Sequence, residues 1–101
     1  MNIKGKIKSI GVPREWTSKD DKKMKSYPVV IAVPYIGMDG KEHSDEVLGE
    51  LVSGNAEYMQ NLTDAMNAEK NMEFRLGLKV KEWKGRLFQE CKVWDIQILM
   101  Q

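Results

Sequence analysis

Three aromatic residues near the C-terminus, Trp83, Phe88 and Trp94, stand among Arg75, Lys79, Lys81, Lys84, Arg86 and Lys92. Flat aromatic faces with cations between them can stack unpaired bases and neutralise phosphates. The same composition also suits a protein interface, where aromatics and Arg dominate the binding energy. A third reading is internal: Trp83 and Phe88 pack on neighbouring side chains, and Arg75 over Trp94 forms a cation–π pair that stiffens the hairpin. Which chemistry is available depends on the strands that hold these residues.

In the run Met72 to Trp83, the residues Met72, Phe74, Leu76, Leu78 and Val80 alternate with Glu73, Arg75, Gly77, Lys79 and Lys81. That period of two predicts a strand with one buried face. Lys84-Gly85 then reads as a two-residue hairpin turn, because glycine tolerates the positive φ such a turn requires. Counting outward predicts Trp83 opposite Arg86, Lys81 opposite Phe88, Lys79 opposite Glu90, Gly77 opposite Lys92 and Arg75 opposite Trp94. The other face pairs Leu78 with Cys91 and Leu76 with Val93, and is predicted to lie on the core. Beyond Trp94, the residues Ile96, Ile98 and Met100 share its parity rather than that of Val93. A β-bulge around Asp95 would return them to the interior, which makes Trp94 the least fixed rung of the ladder.

The N-terminal run Met1 to Val12 changes parity between Ile3, Gly5, Ile7 and Ile10, Val12. A bulge near Lys8-Ser9 would reconcile them and bend the strand, as a small barrel demands. Lys4, Lys6 and Lys8 give this strand a basic outer side. Pro13 to Ser26 is polar and aperiodic and reads as an exposed loop. Trp16 lies within it in the company of Arg14, Lys19, Lys22, Lys23 and Lys25. It is either a lid over the end of the core or a stacking side chain on a basic loop that closes over a bound strand. Tyr27 to Ile36 is the clearest internal strand, with Tyr27 and Tyr35 as further stacking candidates and Pro28 and Pro34 marking edge or bulge positions. After a turn at Gly37 to Gly40, Lys41 to Leu51 returns as an acidic strand. Asn55 to about Asn67 predicts a helix, with Asn55 as N-cap and a stripe of Tyr58/Met59, Leu62 and Ala65/Met66 facing the core.

The 101 residues suffice for one domain, 1–101, with a compact core. No apolar run is long enough to cross a bilayer and the first residues lack a signal-peptide core, so a cytoplasmic protein without membrane contact is expected. A lone cysteine allows neither an internal disulfide nor a thiolate cluster. His43 sits among Glu42, Asp45 and Glu46, where it reads as a solvent-exposed side chain. With no second histidine, nucleophile motif or glycine-rich phosphate loop, no catalytic set, metal site or cofactor is expected. The net charge of +1 hides a segregation. Residues 1–26 hold eight Lys/Arg against three acids, residues 27–69 one against eight, and residues 70–101 seven against four. Such a chain can turn a basic surface toward a polyanion and an acidic one away from it.

The order strand, loop, strand, turn, strand, helix, strand, turn, strand predicts a mainly-β, five-stranded OB-fold-like Greek-key barrel with one helix between the third and fourth strands. The alternative is an open α+β sheet with the helix on one face. The segment Glu82-Trp83-Lys84-Gly85-Arg86-Leu87-Phe88, followed by Val93-Trp94, resembles the C-terminal hairpin of a family of small uncharacterised bacterial OB-fold proteins related to single-stranded-DNA-binding proteins. Ile3-Lys4-Gly5-Lys6-Ile7 and Thr17-Ser18-Lys19 are similar to it as well. The resemblance covers about a third of the chain, and the acidic middle from Pro28 to Glu69 departs from it. It implies an OB-fold and sequence-tolerant binding of single-stranded nucleic acid, DNA before RNA. The competing expectation is a protein-interaction or homo-oligomerisation module, dimer or tetramer, without catalytic activity.

Overall fold

The computed structural model describes residues 1–99; Met100 lies outside them. The elements run β1 (Asn2–Ile10), β2 (Arg14–Thr17), β3 (Lys23–Ile36), β4 (Glu42–Ser53), α1 (Ala56–Asn67), β5 (Met72–Trp83) and β6 (Arg86–Ile98). The strands form one sheet in the order β1-β5-β6-β4-β3-β2, and an additional β1–β3 pairing closes five of them into a barrel. All ladders are antiparallel except β4–β6, which is parallel and touches at the single pair Glu50–Lys92. Among the five barrel strands, the helix falls between the third and fourth, as the element order predicts.

Closure depends on β1. Its first half, Asn2 to Gly5, pairs with β5, and its second half, Lys6 to Ile10, pairs with β3. The register slips between Ile7 and Ser9, so the bulge inferred from the parity change is present. Gly5, at the changeover, is buried against the Ala32 carbonyl of β3, where a side chain would collide with backbone. On β3, Pro28 and Pro34 flank the Val29–Ala32 segment that β1 covers, so neither breaks that ladder.

The loop expected over Pro13 to Ser26 is instead a second hairpin. β2 pairs with residues 23–26 at the start of β3, Arg14 opposite Ser26 and Trp16 opposite Met24. Periodicity failed there because all four β2 residues are exposed, so neither face is marked by apolar side chains.

The core is built from the parities read in the sequence. Ile7, Val29, Ile31, Leu51, Met72, Phe74, Leu76, Val93 and Ile96 meet Met59, Leu62 and Ala65 of α1. Asn55 caps the helix, its side-chain oxygen accepting the Tyr58 N–H at 3.1 Å. The apolar stripe of α1 is thus part of the barrel's core. Among the described residues no helix is long and apolar enough to cross a membrane.

Candidate nucleic-acid interface

Beyond the barrel wall, β5 and β6 continue as a two-stranded arm. Its turn has φ of 50° at Lys84 and 77° at Gly85, the two positive values of a type I′ turn, whose twist matches that of the flanking strands. The register agrees with the count from Gly85 at Trp83–Arg86, Lys81–Phe88, Lys79–Glu90 and Gly77–Lys92 on one face, and at Leu78–Cys91 and Leu76–Val93 on the other. It departs at Arg75, which pairs with Asp95 rather than Trp94. The cause is the bulge: Trp94 and Asp95 both point outward between buried Val93 and Ile96, so the extra residue moves Arg75 one position along. Trp94 is thereby kept on the outer face, 62% exposed.

The apolar face also differs from expectation. Leu76 and Val93 are core residues, but Leu78, Val80 and Leu87 are exposed, because among the described residues no other strand pairs along the arm beyond Gly77 on β5. Cys91, expected in the core, is half-buried at its edge, and that partial burial raises its thiol pKa.

The outer face of the arm gathers most of the predicted site. Trp83 is 63% exposed and Phe88 48%. Lys84 Nζ lies 4.5 Å from the Trp83 ring centre, and Lys92 Nζ 5.9 Å from that of Trp94. Lys81 donates to Glu90 Oε1 at 2.9 Å, and this hydrogen bond holds the Glu90 carboxyl below the usual carboxylate range. Gly77, Lys79, Lys81, Glu90, Lys92 and Trp94 line a cavity of about 430 Å³ together with Leu78. The Trp94 indole lies directly over Gly77, and any Cβ at that position would overlap it. A flat apolar wall bordered by three lysines suits a base with its adjoining phosphates.

The other candidates are placed differently. Arg75 sits at the foot of the arm in a shallow depression with Asn2, Glu73, Asp95 and Gln97, where acids offset its charge. Trp16, expected in a loop, is a strand residue 38% exposed. Lys23 and Lys25 pair with Thr17 and Glu15, so they occupy the opposite face of that ribbon from Trp16, and Lys25 is bound to Glu15 at 3.3 Å. Lys22 lies in the turn, its N–H donating to Ser18 Oγ. Tyr27 packs against the core. Tyr35 stacks on His43 at the far tip of β3–β4, with ring centres 5.5 Å apart. His43 lies seven residues along β4 from the Glu50–Lys92 contact, or about 23 Å at strand rise. His43 in turn meets Asp39 at 3.0 Å. The Lys41 backbone N–H, and then His43, lower the Asp39 pKa. Among the described residues no group of three or more potential metal ligands occurs.

One residue was absent from the sequence-derived set. Arg14 shares the Trp16 face and lines a groove of about 430 Å³ with Val12, Pro28, Leu48, Glu50 and Gln89 to Cys91. This groove joins the β2 ribbon to the root of the arm. The i, i+2 spacing of Arg14 and Trp16 was the available signal, and the loop reading concealed it.

No protein-family model and no curated protein matches the chain. Among solved structures, the crystal structure of a small single-stranded DNA-binding protein from Streptomyces coelicolor aligns over 99% of this chain and 93% of its own, at 9% identity and a TM-score of 0.50. A Plasmodium falciparum SSB complex with ssDNA aligns over the same shares at 9% identity and a TM-score of 0.48. With five strands closed into a barrel, a bent β1 shared by two neighbours and the helix between the third and fourth barrel strands, the chain is an OB-fold.

Proposed function

We propose that the outer face of the β5–β6 arm binds single-stranded nucleic acid, DNA first, without base readout. The observation that carries this is the arm itself: exposed Trp83 and Phe88 on one face with Lys81 and Arg86, held out from the barrel rather than packed on it. Lys79, Lys84 and Lys92 extend the cationic track, and Trp94 supplies a third aromatic wall beside its cavity. Arg14 lines the groove at the root, and Trp16, two residues along the same face of the β2 ribbon, extends this second bank of the path. On the outer parity of β4, Glu42 and Glu46 lie four or more residues from the Glu50–Lys92 contact, so this negative charge is set apart from the arm. Support also comes from the shared fold, since the Streptomyces coelicolor neighbour is a single-stranded DNA-binding protein. The reading involves no catalytic step, cofactor or metal.

The test is titration with an oligo-dT strand, followed by tryptophan fluorescence at several salt concentrations. Quenching is expected, with log K falling against log salt by about 0.7 for each phosphate neutralised. Trp83→Ala should weaken binding about 5- to 150-fold, the equivalent of roughly 1–3 kcal/mol per stacked base, and leave the melting temperature nearly unchanged. No quenching at low salt, or affinity indifferent to salt, overturns the reading. A large loss of stability in Trp83→Ala would assign the ring to packing instead.

A further inference from the structure

The arm has a property that nucleic-acid binding does not use. Among the described residues, β6 between Arg86 and Cys91 is paired as a strand only with β5; its ladder with β4 is the single pair Glu50–Lys92, and Gly49 of β4 also approaches it at Cys91 and Val93. Its second edge is therefore unpaired along the arm, and from Gln89 to Cys91 it borders the groove whose other side is Leu48 to Glu50 of β4. In a two-residue hairpin the pair flanking the turn is the hydrogen-bonded one, so Arg86, Phe88 and Glu90 direct their backbone groups at β5. Leu87 and Gln89 then direct theirs outward, where among the described residues no strand pairs with them.

We infer that this edge pairs with the same edge of a second copy of the chain, antiparallel about a two-fold axis at Phe88. In that register Leu87 of each copy exchanges both backbone hydrogen bonds with Gln89 of the other. Phe88 meets Phe88, and Arg86 faces Glu90 twice, in the non-hydrogen-bonded pairs where side chains approach most closely. The charges select this register over its neighbours. Centred on Gln89, the pairing would set Arg86 against Lys92. Centred on Leu87, it would require Lys84 and Gly85 to continue a strand that their positive φ has already ended. The open edge of β5 is unsuited, because every register about Lys79, Val80 or Lys81 brings lysine against lysine. Glu90 already holds Lys81 through one carboxylate oxygen, leaving the other for the incoming Arg86.

The result is a four-stranded arm in which paired residues share a face. Trp83, Lys81 and Phe88 would then appear twice on one continuous outer surface. Self-association does not depend on the nucleic-acid reading, and its test omits nucleic acid.

The experiment is analytical ultracentrifugation of the full chain over a range of concentrations, with Arg86→Glu, Glu90→Arg and the double exchange. The wild type should show concentration-dependent dimer. Each single change places like charges opposite each other twice and should raise the dissociation constant at least about tenfold. The double exchange restores both pairs and should return it to within about threefold of wild type. Monomer at every concentration overturns the inference, as do single variants that associate normally or a double exchange that fails to rescue. Thermal melts of all variants identify any that unfold. In that event, Phe88→Asp, at a residue exposed on the arm, serves as the replacement and should be monomeric while melting like wild type; a Phe88→Asp dimer overturns the inference.

Discussion

Gly77 and Trp94 depend on each other. The indole lies against β5 only because position 77 has no side chain, and the face it presents away from the strand is the wall of the cavity. Gly77→Val would improve strand propensity, yet it must displace the ring. The expected outcome is a wild-type fold by circular dichroism with a shifted Trp94 emission. Affinity for oligo-dT should fall about tenfold, comparable to removing one stacking surface. Unchanged emission and affinity would show that the indole finds an equivalent seat. Arg75 illustrates the reverse case: its charge counted toward a basic face in sequence, but the bulge delivers it to Asp95. One inserted residue changes which electrostatic neighbours a side chain has, without changing its own composition.

The β5–β6 arm is unusual in being amphipathic with both sides wet. Its strands alternate as though one face were core, yet Leu78, Val80 and Leu87 lie outside the barrel. The arm therefore contributes little apolar burial to stability, since burial is what converts apolar area into free energy. Replacing residues 80–89 by Asn-Gly would retain Lys79 and Glu90 as the hydrogen-bonded pair closing a new two-residue turn. Equilibrium urea unfolding of this shortened chain should differ from wild type by no more than about 1 kcal/mol. Binding of oligo-dT should fall about a hundredfold or more, because Trp83, Phe88, Lys81, Lys84 and Arg86 are removed together. A stable, fully binding truncation would relocate the site to the groove beside Arg14. The β2 ribbon is also a two-stranded extension, and it escaped sequence reading for a related reason: with no buried face, it has no period to detect.

The molecule measures 51 × 40 × 21 Å, a small barrel with hairpins extending from it, acidic along β4 and with its lysines gathered on the outer face of the β5–β6 arm. Closure at Gly5 is what lets so few residues make a core from both sheet halves. Gly5→Val would force β1 off the Ala32 carbonyl and open the β1–β3 seam, so a loss of about 3 kcal/mol or more is expected in urea unfolding. Hydrogen exchange should localise that loss to β1 and the Val29–Ala32 segment of β3. Protection unchanged at this seam would mean that closure is not limited by the glycine.

Several features were legible because they are local. The hairpin register follows from counting across a two-residue turn, the helix start from Asn55 three residues before the N–H it accepts, and the parity slip of β1 from its own isoleucines. Alternation along a strand reports which side chains share a face, since the backbone geometry imposes that period. It does not report what lies over the face. That is why Leu78 and Val80 read like Leu76, although only Leu76 is covered. The ending of the barrel wall at Gly77, the facing of Trp16 away from Lys23 and Lys25, the groove that recruits Arg14 and the open edge of β6 all arise from contacts between segments far apart in the chain. The aromatic and basic pattern of the arm was written in the residues themselves; its exposure was settled by where the other strands stop.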